Sequence, residues 1–330
     1  MKFSWKTCRK PILALAPMAG YTDSAYRRLV KFVEPRVICF TEFTSADGIV
    51  YGSRKTLSQL DFDPAEERPL VMQIFGKKLE HFTEAAKKLE EMGADAIDLN
   101  MGCPAKKVVS SDHGSALLKN PLKAAEIVAA TVKGTSLPVS VKTRVGVSKS
   151  DTEWFVNFCK SMEAAGASLI TIHGRTAKQM YLGQSDWEPI YEVKRNVKIP
   201  VIGNGDIRSA ADALAKLKNL DGIMVGRATM GNPWLMAEIA SALYDDGSYI
   251  APKSFEEKLP YLIKHCELNV ASKGEARGIM EMRKHFAGAL RGFDGASEYR
   301  ARAVRISTLE EAKQLLNEIL HHVRESAKIA

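Results

Sequence analysis

The sequence predicts a TIM-type (β/α)8 barrel followed by a small all-helical C-terminal domain, and three observations carry that expectation. Eight short β-branched or apolar runs recur over the first three quarters of the chain, segments of helical periodicity fall between them, and the strand signal stops near Tyr249. Strands that alternate with helices pair in parallel, and eight such units close a TIM barrel. Most of the runs are apolar without strict alternation, as strands covered on both faces should be. A doubly wound sheet is the alternative, but no Gly-x-Gly-x-x-Gly follows any strand, so the dinucleotide fingerprint that would favour it is missing.

The first predicted strand, 12–16, ends in Ala16-Pro17-Met18-Ala19-Gly20-Tyr21-Thr22-Asp23, and the second covers 37–41. The third, 70–75, carries Gln73 and precedes helical periodicity over 78–92. The fourth, 96–100, runs into Asn100-Met101-Gly102-Cys103-Pro104 and is followed by a helical segment at 121–132. The fifth, 139–143, ends Lys142-Thr143-Arg144 ahead of a helix over 152–165. The sixth, 169–173, ends His173-Gly174-Arg175; the seventh, 201–204, ends Gly203-Asn204-Gly205-Asp206; the eighth, 222–226, ends Gly226-Arg227. Beyond Tyr249 the chain reads as helices with breaks at Lys273-Gly274 and Gly292–Gly295, so the expected domains are a barrel at 1–248 and a helical domain at 249–330.

Composition narrows the class. The chain has 330 residues with 45% hydrophobic and 26% charged, which excludes disordered, collagenous and fibrous proteins. Its 47 Lys+Arg against 39 Asp+Glu make a net charge of +8, a mild excess compatible with a polyanionic partner. Five scattered cysteines without a Cys-x-x-Cys suggest neither a disulfide framework nor a zinc site, and a reducing cytoplasm suits them. The first residues, Met1 to Lys6, lack an apolar signal core, and no run is long enough to span a membrane.

In a TIM barrel the chemistry sits at the C-terminal ends of the strands. Six of the eight ends here place Gln, Asn, Lys, His or Arg where a purely structural strand would prefer Val or Ile. Glycine-bearing loops after strands seven and eight suit a phosphate, because bare backbone N–H groups approach an anion closely, and Arg227 adds a fixed positive charge; taken alone, each glycine reads first as a turn residue. Lys142 at the mouth needs an anionic group to offset its desolvation. A reduced flavin is one candidate, and a barrel carboxylate is the other. Cys103 lies on a loop between Gly102 and Pro104, where a thiol can serve as general acid or as nucleophile. Cys8, Cys39, Cys159 and Cys266 read as small apolar fillers.

Taken in order, Ala-Pro-Met-Ala-Gly-x-Thr-Asp (16–23), Asn-Met-Gly-Cys-Pro (100–104), Lys-x-Arg (142–144), His-Gly-Arg (173–175), Gly-Asn-Gly-Asp (203–206), Met-Val-Gly-Arg (224–227) and Gly-Asn-Pro-Trp (231–234) resemble the tRNA-dihydrouridine synthase family. Ala105-Lys106-Lys107-Val108 and Met282-Arg283-Lys284-His285 are similar to its bacterial, B-type branch, whereas Ser110–Gly114 is less basic and glycine-rich than that family leads one to expect. The resemblance implies an FMN enzyme that uses NADPH to reduce the C5–C6 double bond of particular uridines in tRNA. It assigns Pro17, Met18, Ala19, Gln73, Lys142 and His173 to the flavin, and Asn204, Gly205, Asp206, Gly226 and Arg227 to its ribityl and phosphate groups. Cys103 matches the proton donor to C5, opposite hydride delivery to C6. Asn100, Arg144 and Arg175 are candidates for the uracil edge or a flanking phosphate. No metal and no obligate protein partner are implied.

In the tail, Lys273, Arg277, Lys284 and Arg291 fall on one side of a helical wheel, with Ile279, Met282, Phe286 and Leu290 on the other. That division predicts one packed face and one basic face for tRNA phosphates; a solvated charged face is the plainer reading. Two other functions remain open at this stage. A flavin barrel acting on a small molecule leaves the basic tail unexplained, and a tRNA-binding chaperone leaves the flavin motifs unexplained.

Overall fold

A computed structural model describes residues 3–329. Eight parallel strands close on themselves: β1 (Ile12–Leu15), β2 (Ile38–Phe40), β3 (Leu70–Phe75), β4 (Ala96–Met101), β5 (Val139–Arg144), β6 (Leu169–His173), β7 (Val201–Asn204) and β8 (Gly222–Val225). Each pairs with the next, and β8 returns to β1 through Ile12↔Gly222 to Leu15↔Val225. The barrel expected from the alternation is present. A two-residue strand, Thr44–Ser45, also pairs with the end of β3, and two short helices follow it at Ala46–Val50 and Arg54–Leu57. Periodicity does not reveal these pieces, because none is longer than five residues.

The chain divides by packing into two compact units, residues 1–22 with 36–226, and 23–35 with 227–330. This division falls at Gly226/Arg227 rather than at 248/249, and it groups α1 (Ser24–Val33) with the C-terminal helices.

In the first unit strand parity decides what faces the barrel interior. Ile12, Ala14 and Ala16 of the first strand and its end, Ile38 and Phe40, Val71, Ala96, Leu169, Ile202 and Met224 form one buried cluster, which Trp5 also joins. Side chains alternate across a strand. The same parity therefore carries Gln73, Asn100, Lys142, His173 and Asn204 to the inner face at the C-terminal end, above an apolar floor. Helices follow most strands: α2 (Leu79–Glu91), α3 (Pro121–Lys133), α4 (Thr152–Ala164), α5 (Glu188–Asn196) and α6 (Ala210–Leu217). Asp151 caps α4 by accepting from Trp154 N, and Asn120 caps α3 with Pro121 at its first turn, the preferred start for a helix.

In the second unit, α7 (Leu235–Tyr244), α8 (Phe255–Lys273), α9 (Glu275–Ala289), α10 (Ala296–Ala303) and α11 (Leu309–Ile329) follow one another without a strand. Ser254 and Glu257 form a capping box at the start of α8, and Gly274, at φ 78°, ends it. Phe255, Leu262, Cys266, Ile279, Met282, Phe286, Leu290, Leu316 and Ile319 pack into this unit's own core. Among the described residues, no helix is long and apolar enough to cross a membrane.

Candidate active site

The mouth of the barrel is built on a hydrogen-bonded ladder of side chains from β3 and β4. Asn100 Oδ1 accepts from the backbone N–H groups of Gly102 (3.1 Å) and Cys103 (2.9 Å), which winds the loop after β4 into a tight turn and sets the position of the thiol. Asn100 Nδ2 donates to Gln73 Oε1 at 2.9 Å, and Gln73 Nε2 donates to Asp98 Oδ2 at 2.6 Å. Ser140 Oγ donates to the other oxygen, Asp98 Oδ1, at 2.6 Å. Asp98 is fully buried, and that burial pushes its carboxyl up to about 6 despite the two donors and the positive charge of Lys142.

Lys142 enters from β5, where Asn100↔Lys142 and Lys142↔Thr171 are register partners. Its ammonium donates to Asn204 Oδ1 at 3.2 Å, and Asn204 Nδ2 in turn donates to Met224 O at 2.7 Å. Burial, then the like charge of Arg144, brings Lys142 down to about 8; Asp98 and Cys103 act in the other direction. Asp98 supplies attraction to Lys142, but among the described residues no carboxylate lies within ion-pair distance of it. A desolvated cation held by one neutral amide is short of a counter-charge.

Cys103 is half-buried and free. Burial pushes its thiol up, against the Ala105 N–H and the charges of Arg144 and Lys142. At neutral pH the group carries its proton. Gly114 leaves room for this loop, since a Cβ there would lie 2.8 Å from Cys103 O.

Two arginines expected at the substrate make framework contacts. Arg175 is 1% exposed; it donates to Leu182 O, Gly183 O and Ser185 Oγ, and to both oxygens of Asp206 at 2.8 and 2.9 Å. Its fork fixes the loop after β6. Asp206 is correspondingly turned toward Arg175 and the Ser185 N–H (2.8 Å), so its carboxylate holds that loop. Burial opposes ionisation of Asp206, yet these donors hold its carboxyl below the usual range. Arg144 is 4% exposed and donates to Gly102 O, Thr176 O and Met180 O, each at 2.9 Å, tying the Cys103 turn to the loop after β6.

The remaining mouth residues sit as follows. His173 ends β6 beside Asn204 in register. Gly205 has φ 128°, and a Cβ there would meet Ser185 Oγ at 2.3 Å, so only glycine fits the turn. At the first strand's end, Met18 N donates to Thr22 Oγ1 at 2.9 Å, while Tyr21 N and Thr22 N donate to Met18 O, curling Pro17-Met18-Ala19 into a compact loop. A Cβ on Gly226 would meet Ala16 Cβ at 3.3 Å and Met18 Sδ at 3.5 Å, so the glycine keeps a shallow cradle open over that loop. Arg227 begins the second unit and is exposed.

Sequence reasoning missed Asp98, Ser140 and Thr171. Each lies two positions before a mouth residue (Asn100, Lys142, His173) on the same strand, so strand parity could have found them. Thr171 Oγ1 is buried and has no hydrogen-bond partner.

In the second unit the expected continuous basic face is broken. Lys273 ends α8, while Arg277 and Lys284 belong to α9; Gly274 lies between them, so one helical wheel does not apply. Lys273 donates to Asp23 Oδ2 (2.5 Å) and Glu281 Oε2 (2.6 Å) and is nearly buried, which makes it a structural ion-pair centre. Arg277 and Lys284 also meet Glu281, at 3.0 and 3.6 Å. Arg277 and Arg291 remain exposed. Ile279, Met282, Phe286 and Leu290 are buried, as the apolar side of the wheel required.

A closed parallel barrel whose strand ends converge on a buried lysine, paired amides and a half-buried thiol has the layout of a TIM-barrel enzyme, with its chemistry at the C-terminal ends of the strands. The model of the dihydrouridine synthase (Dus) family matches residues 14–326. The chain is 38% identical over 319 residues to a probable tRNA-dihydrouridine synthase of Rickettsia conorii, covering 96% of each chain. It is 36% identical to probable tRNA-dihydrouridine synthase 1 of Synechocystis (92% of this chain, 85% of that one) and 36% identical to tRNA-dihydrouridine synthase B of Pseudomonas aeruginosa (89% and 88%). The chain belongs to the dihydrouridine synthase family.

Proposed function

We propose that this enzyme reduces particular uridines of tRNA to 5,6-dihydrouridine with FMN as its cofactor and NADPH as the reductant. The observation that carries the reading is Lys142, a desolvated ammonium in the barrel mouth that faces a neutral amide and lacks a close counter-anion. The donor set suits an isoalloxazine, which accepts electrons and becomes anionic on reduction. Pro17, Met18 and Ala19 would hold it by backbone groups, with Gln73, Lys142 and His173 at the ring. Asn204, Gly205 and Gly226 would lie at the ribityl and phosphate end. FMN, when bound, supplies the hydride that goes to C6.

The chain's own residues do the rest. Cys103 keeps its proton on Sγ at neutral pH and gives it to C5 as a general acid. Asn100 and Arg144 hold the Cys103 turn from its two sides. A uridine stacked in folded tRNA reaches such a site only when it is extruded. The free thiols suit a reducing cytoplasm.

Purified protein should be yellow with bound FMN. With NADPH and unmodified tRNA in D₂O, solvent deuterium should appear at C5 and label from deuterated NADPH at C6, read by mass spectrometry. A colourless protein that does not take up added FMN, or solvent label at C6, overturns the reading.

A further inference from the structure

The proton donor assigned above sits at the end of a chain of side chains that begins at the barrel floor. We propose that Asp98 is a positioning residue: by accepting from Gln73 it fixes the orientation of the Gln73 and Asn100 amides, and through them the backbone turn that aims the Cys103 thiol. The inference rests on the role of Cys103 under Proposed function. Its geometry stands independently.

The direction of every amide follows from donor and acceptor accounting. Asn100 Oδ1 is occupied by two backbone N–H groups, at 3.1 and 2.9 Å, so its Nδ2 is the end that faces Gln73. Gln73 must present Oε1 to that amide, at 2.9 Å, which points its Nε2 down toward β4. A group that only donates, or an apolar one, would leave that N–H buried and unmade, because Gln73 is fully buried. Asp98 Oδ2 receives it at 2.6 Å, while Ser140 occupies Oδ1 at 2.6 Å and so holds the carboxylate plane. Without the acceptor, a flip of Gln73 sets two NH2 groups face to face and releases Asn100 from the turn. Arg144 grips the same turn through Gly102 O, at 2.9 Å, but on its carbonyl side only. The amide side depends on Asp98. Asp98, fully buried one layer below the mouth, acts through Gln73 and Asn100.

The test reads the thiol directly: the rate of Cys103 alkylation by iodoacetamide against pH, followed by mass spectrometry of its peptide in the intact protein. Asp98→Ala should move the profile to lower pH and speed alkylation at pH 8 by about three- to tenfold, the worth of one lost hydrogen bond, since the released turn no longer keeps the thiol half-buried, and burial is what pushes it up. Asp98→Asn retains an acceptor for Gln73 and can donate to Ser140 Oγ, so its profile should stay within about twofold of the wild type by the same reckoning. Gln73→Leu cuts the next link and should shift the profile as Asp98→Ala does; it decides the matter if Asp98→Ala fails to fold. An unchanged profile in a folded Asp98→Ala or in Gln73→Leu, or an equal shift in Asp98→Asn, overturns the proposal. Alkylation needs neither FMN nor tRNA, so loss of the proposed reaction in the wild type would count against the function and not against this relay.

Discussion

At the scale of single residues, the mouth combines groups that each carry a cost and are held in place by neighbours. Cys103 retains its proton because burial outweighs the three positive influences around it. If it is the acid, Cys103→Ala should still bind FMN and be reduced by NADPH, while dihydrouridine formation falls by about 10²–10⁴-fold; full product formation in that variant rules the role out. Lys142 reports differently. Its pKa, pushed below its ordinary value to about 8, means that the charged form is disfavoured in the folded chain. Lys142→Met should therefore raise the melting temperature of the cofactor-free protein while lowering flavin content. A lower melting temperature with flavin content unchanged would contradict both halves. In the wild type, flavin affinity should weaken as pH rises through about 8, where the ammonium is lost.

Loops and helices show where single residues act on whole elements. Arg175 and Asp206 bind the loops after β6 and β7 into one piece. Removing one partner of a nearly buried pair leaves the other uncompensated, so Arg175→Ala should cost about 3 kcal/mol in chemical denaturation; a change below about 1 kcal/mol would place the pair among ordinary surface bridges. In the second unit, charge reversal at the exposed Arg277 and Arg291 should weaken tRNA binding and flatten its dependence on salt with FMN still bound. Lys273 is expected to act otherwise. Its replacement by Ala should destabilise the helical unit by leaving Asp23 and Glu281 without their shared cation. Equal affinity and equal salt slope in the Arg277/Arg291 variant would leave those arginines as solvated surface.

For the molecule as a whole, pH response is set by a few buried groups. His265 is held neutral, its pKa lowered to about 4 by burial, and His285 lies well below 6.5 for the same reason, with the neighbouring ring 4.4 Å away. A base whose folded pKa is depressed binds more protons when unfolded, so its contribution is complete above about pH 6.5 and is lost as pH falls toward 4. For His265 alone that is on the order of 3 kcal/mol. Asp98 opposes the trend, since its raised pKa of about 6 adds stability as pH falls through the same range. Two histidines against one carboxyl leave a net loss. Thermal unfolding at pH 7, 5.5 and 4.5 should show a falling midpoint, steeper in Asp98→Asn; a flat response would mean the histidines are not buried in solution.

What the sequence by itself determined is the barrel, its eight strand ends and most of the residues at its mouth. Local patterning suffices there: a strand must bury its apolar residues, and a polar or glycine end after each run is visible in one dimension. The helical tail was legible in the same way, as was the apolar side of α9. Only the tertiary structure decided which polar residues are engaged with distant parts of the chain. The framework contacts of Arg175 and Arg144 were not legible, because an arginine at a strand end looks the same whether its fork meets a substrate or the carbonyls of the next loop. Lys273 read as part of a basic face because Asp23, its partner, lies 250 positions away in sequence. Asp98 went unnoticed inside an apolar run, since nothing local shows that the acceptor it offers is the one Gln73 requires. Hydrogen-bond saturation and burial are pairwise properties of residues distant in the chain, and the fold alone brings those pairs together.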